Sequence, residues 1–216
     1  MSVRSFYAGI TAAVLLGVSV VHATSDLNTP IGTLRTYYAA LRAQSVEQAM
    51  ACFTSMGKRE GAVAKSILTF RVATEHLSKI AVAKLGPPTS RNGKDLASAC
   101  TGYNAMRAKL KKARVRVHGG EAIIQMPGST AGENGKLYFL KKAGADWKID
   151  GGKLFHLAAV KKIPANALVP LLQIEYRMVG VFNAAVGDIQ TGKVKTWKQL
   201  HKDLNLKMMA AFGSRA

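Results

Sequence analysis

Near residue 112 the chain changes from helical to strand periodicity, and this change constrains its fold more than any other feature. Before it, apolar residues recur every three or four positions, which is typical of amphipathic helices. After it, polar and apolar side chains alternate strictly over residues 114–118, as they do in a half-buried strand. Helices followed by a run of strands indicate an α+β fold. We expect N-terminal helices packed on a curved antiparallel sheet, with additional C-terminal helices.

Cap residues mark the predicted starts of the first two helices. Thr29 can cap a helix whose first position is Pro30, where the fixed φ and missing N–H of proline are suited to a helix start. Ser45 is followed three residues later by Gln48, the spacing of a capping box. A third helix is predicted from about Arg59 to Lys84, with an apolar stripe of Val63, Ile67, Phe70, Leu77 and Ile80.

A tight hairpin is predicted where the strands begin. Gly119-Gly120 can form a two-residue turn, which sets Val117 on the same face as Ala122 and Val115 on the same face as Ile124. We expect this apolar face to pack inward. The opposite face should carry Arg114, Arg116, His118, Glu121, Ile123 and Gln125. Two further strands are predicted at residues 136–142 and 146–150.

More helix is predicted on both sides of the sheet. A fourth helix should span about Asp95–Lys111, before the strands, and another should start at Pro170, after them. Thr196 is the expected cap of the last helix. We expect residues 24–163 to form the α+β domain and residues 164–216 to form a helical extension packed on the same body.

Residues 1–23 resemble an export signal. A short segment containing Arg4 precedes an apolar run, and Val21-His22-Ala23 places small residues where a signal peptidase reads them. Cleavage is therefore expected after Ala23. The alternative is an uncleaved N-terminal anchor, although the run of about 16 residues is shorter than the roughly 20 that a spanning helix needs. In either case the working part begins near Thr24 and lies outside the cytoplasm, in the periplasm or secreted. If the signal is cleaved, we expect no membrane span to remain.

The chain is strongly basic, with 31 Lys and Arg against 12 Asp and Glu and a formal net charge of +19. A field of this sign favours anionic partners, which outside the cytoplasm would be acidic polymers or lipid headgroups. The densest basic run includes Lys112, Arg114 and Arg116. The alternative is that dispersed lysines simply keep an exported protein soluble.

Two cysteines leave two alternatives open. Cys52 and Cys100 could form a disulfide in an exported protein, or each could be a separate buried thiol.

Two segments resemble the nuclear transport factor 2-like superfamily, which includes SnoaL-like and other cystatin-like α+β cones. The first is TPIGTLRTYYAALRAQSVEQAMACF, which begins at Thr29, and the second is the strand DWKID, which ends at Asp150. The resemblance covers about residues 29–155. It implies a sheet wrapped around the long helix, with a cavity that family members use for isomerases, dehydratases, hydrolases or ligand binding. The fold alone does not choose among these functions.

Few residues are candidates for chemistry in such a cavity: Tyr38, Tyr138, Asp150 and His156. Alternation along the last strand places Asp150 opposite the core face, which counts against it as a cavity acid. The histidines have no metal-ligand spacing, and neither a metal nor a cofactor is predicted. We therefore expect an exported, non-catalytic binding or structural protein whose partner is an anionic polymer or a small apolar ligand. The alternatives are an isomerase, dehydratase or hydrolase that uses the cavity, and C-terminal helices that dock a partner.

Overall fold

The computed structural model describes residues 26–88, 102–128 and 136–213. These residues form helices packed on a four-stranded antiparallel sheet in the order β1-β2-β3-β4, followed by C-terminal helices, so the predicted α+β class is confirmed. The strands are β1 (Arg114–His118), β2 (Glu121–Gln125), β3 (Leu137–Ala143) and β4 (Asp146–Ile149). The α-helices are α1 (Pro30–Arg42), α2 (Val46–Met50), α3 (Lys58–Leu85), α4 (Gly102–Lys111), α5 (Gly151–Leu154), α6 (Ala165–Gln190) and α7 (Trp197–Phe212).

The predicted caps are present at three helix starts. Thr29 Oγ1 accepts a hydrogen bond from the Gly32 N–H at 3.0 Å, and Ser45 Oγ accepts one from the Gln48 N–H at 3.3 Å. Thr196 caps α7 in the same way. Each bond satisfies a backbone donor that the first turn of a helix leaves without a partner, so local chemistry determines where these helices begin.

Backbone contacts cover the outer edge of β4. The Trp147 N–H donates to Leu27 O at 2.7 Å and the Ile149 N–H donates to Cys52 O at 2.8 Å. The Thr33 hydroxyl on α1 also donates to Trp147 O at 2.9 Å. These bonds attach the N-terminal part of the described chain to β4 and occupy the outward backbone groups of Trp147 and Ile149.

The opposite edge of the sheet is β1, and it remains exposed. The hairpin has the predicted register, with Val117 opposite Ala122 and Val115 opposite Ile124. Ala122 and Ile124 are buried, but Val115 is 39% exposed and Val117 is 55% exposed. The prediction that both valines pack inward is therefore wrong. The core lies under β2, β3 and β4, and β1 extends beyond it.

Helix α3 packs on two sides, which explains why its buried residues differ from the predicted stripe. Its first half contributes to the core under the sheet, and its second half packs against α6 in a separate cluster with Leu77 and Ala81 at its centre. Of the predicted stripe only Leu77 is fully buried; the other predicted residues are half-buried. The buried positions of α3 are Ala64, Leu68, Val72, Ala73, Leu77, Ser78 and Ala81.

Helix α6 begins at Ala165 and contains Pro170, so the prediction that Pro170 starts this helix is wrong. Proline costs a helix the hydrogen bond to the residue four positions earlier. Here that residue is Asn166, in the exposed first turn, where water can replace the lost donor. Among the described residues, no helix is both long and apolar enough to cross a membrane.

A side chain at Gly151 would crowd the residues packed around it. It starts α5 and is buried, and a Cβ at this position would lie 2.7 Å from Met56 Sδ and 3.3 Å from Phe53 Cδ1. We expect Gly151→Ala to lower the free energy of unfolding by about 1–3 kcal/mol through overpacking, measured by urea denaturation. Gly180→Ala is the control, because a Cβ there meets nothing within 4 Å and alanine should stabilise α6 by about 0.5–1 kcal/mol. Equal effects at both positions would contradict this assignment.

Candidate functional site

The four predicted cavity residues lie in two different places. Tyr38 and Tyr138 are 3% and 1% exposed and belong to the core between α1 and the sheet. Asp150 and His156 instead line a groove beside β3, α5 and the first turn of α3. The structure therefore does not bring all four into one cavity. A third location, the exposed strand β1 and the residue Lys112 just before it, carries the predicted basic residues.

In the core, the hydroxyls of Tyr38 and Tyr138 are hydrogen-bonded to each other. A buried tyrosine hydroxyl usually needs a hydrogen-bond partner, and Tyr138, 100 positions later, supplies one for Tyr38. Burial raises the pKa of both phenols. These hydroxyls stay protonated at neutral pH, so neither is poised as a general base, which needs a pKa near the working pH.

Two residues that the sequence analysis did not single out adjoin this pair. Tyr37 is 1% exposed, and its hydroxyl has no hydrogen-bond partner among the described residues; burial raises its pKa to about 12. The Arg71 guanidinium lies 5.9 Å from the centre of the Tyr38 ring and pairs with Glu75 at 3.2 Å. Two sequence patterns could have identified these residues. Tyr37 belongs to the i, i+3, i+4, i+7 spacing of Leu34, Tyr37, Tyr38 and Leu41, which is typical of a buried helix face, and Arg71 and Glu75 are an oppositely charged i, i+4 pair.

Removing either hydroxyl of the buried pair should cost more than removing both. We expect Tyr38→Phe and Tyr138→Phe each to lower the free energy of unfolding by about 1–3 kcal/mol, because each leaves the other hydroxyl buried without its partner. The double variant should be no less stable than either single one. Urea denaturation of the four proteins gives the coupling energy, and simple additivity of the two losses would contradict a mutual hydrogen bond.

The groove has a volume of about 940 Å³. Its two acids are already engaged: Asp150 Oδ2 lies 3.6 Å from Lys141 Nζ, and Glu60 Oε1 lies 3.5 Å from Lys161 Nζ. Asp150 Oδ1 also accepts from the Lys153 N–H and so caps α5. As the alternation predicted, Asp150 points away from the core. Its carboxylate there stabilises the start of α5.

His156 sits at the rim of the groove in an unusual backbone conformation. Its φ of 53° and ψ of 39° are left-handed, a region that costs most non-glycine residues energy and in which histidine is enriched. The residue makes the sharp turn between α5 and the 3-10 helix Leu157–Lys162. No described acid or hydroxyl forms a hydrogen bond or ion pair with it, so it does not belong to a catalytic dyad within the described residues.

The predicted basic residues Lys112, Arg114 and Arg116 form an open cationic surface next to the sheet; we call these three residues the basic edge. All three are exposed. None of the salt bridges between described residues involves them, whereas seven acids elsewhere are paired in this way: Glu47, Glu60, Glu75, Asp146, Asp150, Asp188 and Asp203. The positive charge of the basic edge is therefore left uncompensated by ion pairs within the described chain.

The basic edge continues onto the face of the sheet opposite the buried core, which we call the outer face. Register places Arg116 beside Ile123 and then Phe139, and it places His118 beside Glu121, Lys141 and Lys148. Ile123 is 40% exposed. Lys153 Nζ lies 4.4 Å from the centre of the Phe139 ring. Cations thus run from β1 across the sheet to the groove, around a small apolar centre.

Cys52 is a buried free thiol, and burial raises its pKa to about 11, so it is a poor nucleophile at neutral pH. Cys100, like residues 1–23 and the predicted start of the fourth helix, lies outside the described residues. No group of three His, Cys, Asp or Glu side chains within the described ranges is arranged to hold a metal ion.

Comparison of the chain with protein-family models, with curated proteins and with solved structures found no match in any of the three.

Proposed function

We propose that the protein is an exported, non-catalytic binding protein that takes an anionic partner on the basic edge and the adjoining outer face. The observation that carries this proposal is the exposure of Lys112, Arg114 and Arg116 without a single ion pair among the described residues. Exposed cations that no acid compensates attract anions over about a Debye length, roughly 8–10 Å at physiological salt. The exposed side chains of the basic edge could therefore pair with the negative groups of an anionic chain.

The extent of the outer face supports a partner larger than a single ion. Neighbouring strands lie roughly 4.8 Å apart, so the distance from Arg116 on β1 to Phe139 on β3 is roughly 10 Å. Lys153 lies on the same side, as do Lys141 and Lys148, which are paired with Asp150 and Asp146. A polymer with repeated negative groups could therefore contact several cations at once, and multivalent contact of this kind raises affinity without strong individual contacts.

A catalytic function has weaker support. General acid–base chemistry needs a titratable group whose pKa lies near the working pH. In the core the available groups are the tyrosines, and burial raises their pKa. In the groove both acids are held in ion pairs with lysines. Binding requires none of these groups to titrate, and so it is the function we put forward.

The proposal of export rests on the signal-like segment 1–23. We also propose that residues 29–155 belong with the nuclear transport factor 2-like proteins. The two resembling segments are in direct contact, because Thr33 in the first donates a hydrogen bond to Trp147 O in the second. A relation of this kind would leave the choice of ligand open, since such folds serve many functions.

The direct test of the proposed function is the salt dependence of binding to soluble polyphosphate. Because each cation that binds a phosphate releases a condensed counterion, the logarithm of the binding constant should fall linearly with the logarithm of salt concentration. We expect clear binding at about 50 mM salt and a steep loss toward 200 mM. Binding that does not depend on salt, or no binding at low salt, would overturn the proposal.

A further inference from the structure

The open edge of β1 presents backbone groups that no strand of the described residues pairs with. Met126 N–H donates to Lys136 O at 2.9 Å and Lys142 N–H donates to Gly120 O at 2.8 Å. Gly120 and Met126 lie immediately before and after β2, so the even-numbered residues of this segment direct their backbone groups toward β3. Since both backbone groups of a residue in an antiparallel strand point to the same neighbour, the odd-numbered residues of β2 bond to β1.

Register then identifies the free groups on β1. The odd-numbered residues Glu121, Ile123 and Gln125 lie opposite His118, Arg116 and Arg114. Those three residues direct their N–H and C=O groups toward β2, and the groups of Val115 and Val117 point outward. No hydrogen bond from the described residues reaches these outward groups. They are two donors and two acceptors, spaced as in a strand that lacks its neighbour.

The two faces of β1 carry different kinds of side chain, and together they define the kind of strand that could pair with it. On one face Val115 and Val117 are 39% and 55% exposed and would gain from apolar neighbours. On the other face Arg114, Arg116 and His118 are exposed and would gain from acidic neighbours, because opposite charges on adjacent strands stabilise a sheet. A partner strand must therefore alternate between apolar and acidic residues.

We propose that β1 binds an extended acidic peptide segment as a fifth strand of the sheet. This inference rests on the proposed function, and it names the anionic partner as a polypeptide. The peptide backbone would bond to Val115 and Val117, its apolar side chains would cover the two valines, and its carboxylates would face Arg114 and Arg116. Backbone bonds supply affinity in this mode of recognition, and alternate side chains supply specificity.

The same charges disfavour a second copy of the chain as the occupant. An antiparallel pair of β1 strands centred on Arg116 would set Arg116 against its own copy and Arg114 near His118 of the copy. Like charges directly opposite one another destabilise a strand pair, and edge cations are a common protection against such self-pairing. Charge complementarity thus selects an acidic strand over a second β1.

The test compares a synthetic peptide of alternating Glu and Val with one of the same composition in scrambled order. We expect full-length protein to bind the alternating peptide at least about tenfold more tightly than the scrambled one. Val117→Pro removes an outward N–H but no bond to β2, and edge strands tolerate proline. It should weaken binding of the alternating peptide about tenfold. Val117→Thr, which keeps the N–H and the β-branched shape, is the matched control and should lose less than about threefold.

Amide hydrogen exchange supplies a second readout that needs no variant. The amides of Val115 and Val117 should exchange rapidly in the free protein and become protected when the alternating peptide binds, because protection follows hydrogen bonding. Equal binding of both peptides, unchanged binding by Val117→Pro, or no new protection at these two amides would overturn strand addition. If one of these results is found but polyphosphate still binds, only strand addition is overturned and the proposed function stands. If polyphosphate does not bind either, the proposed function is overturned as well.

Discussion

Replacing Arg114 and Arg116 together by glutamate is expected to weaken polyphosphate binding more than any other pair of surface changes. Both side chains are exposed on β1, and neither makes a salt bridge within the described chain. Each substitution removes a positive charge and introduces a negative one at the centre of the proposed surface. We expect binding to fall by about 100-fold at low salt, and the salt slope to decrease by about two.

The matched control for this charge reversal is Lys198→Glu with Lys202→Glu. Both lysines are exposed on α7, so this pair changes the net charge of the chain by the same amount at a different place. We expect it to lower binding by less than about threefold at physiological salt, because α7 packs in the cluster with α3 and α6, which contains no residue of the sheet, and salt screens charges that do not contact the anion directly. Equal losses from the two pairs would mean that net charge alone attracts the anion, and the basic edge would not be a specific site.

Alkaline pH is expected to unfold the protein through its buried tyrosines. Burial raises the pKa of Tyr37 from 10.0 to about 12 and also raises the pKa of Tyr38 and Tyr138. The folded state then holds these protons more tightly than the unfolded state, so stability is fully present below pH 10 and falls as pH rises above it. Tyr37 alone should cost about 1.4 kcal/mol per pH unit between pH 10 and 12.

Tyr37→Phe isolates this effect from the titration of surface lysines. The Tyr37 hydroxyl is buried without a hydrogen-bond partner among the described residues, so its removal should raise the free energy of unfolding by about 1 kcal/mol at pH 7. The variant should also lose stability less steeply above pH 10. Tyr176→Phe is the control, since Tyr176 is 76% exposed. Urea denaturation at pH 7 and pH 11 measures both effects, and parallel losses for wild type and Tyr37→Phe would contradict this account.

Features that depend on neighbouring residues could be predicted from the sequence. Thr29, Ser45 and Thr196 cap helices as expected, because a cap bond joins residues three positions apart. The hairpin register was correct for the same reason, since a two-residue turn at Gly119-Gly120 fixes which residues face each other.

Features that depend on distant contacts could not be predicted in this way. Alternation showed that Val115 and Val117 share a face with buried residues, but it could not show that β1 lies at the edge of the sheet beyond the core. The stripe of α3 was misassigned because this helix packs on two sides, against the sheet core through Leu68 and Val72 and against α6 through Leu77 and Ala81. A local rule about proline likewise failed at Pro170.

The candidate site was foreseen only in part. The basic edge was predicted residue by residue, since surface charge can be read directly from the sequence. The partner of Tyr38 could not be predicted, because it is 100 positions away. The capping role of Asp150 depends on the short helix α5, which the sequence analysis did not predict. The free backbone groups of Val115 and Val117 leave no sequence signal, because they follow from the position of β1 in the sheet.

The central claim, that an anionic partner binds on the basic edge and outer face, is tested most directly by titrating polyphosphate into the isotope-labelled protein and following each amide by NMR. We predict that the largest shifts fall on residues 112–118 and on the neighbouring outer-face positions Ile123 and Lys141. Shifts should be small on α7, although it carries exposed lysines such as Lys198 and Lys202. Shifts spread evenly over all lysine-bearing surfaces, or concentrated on α7, would contradict the claim.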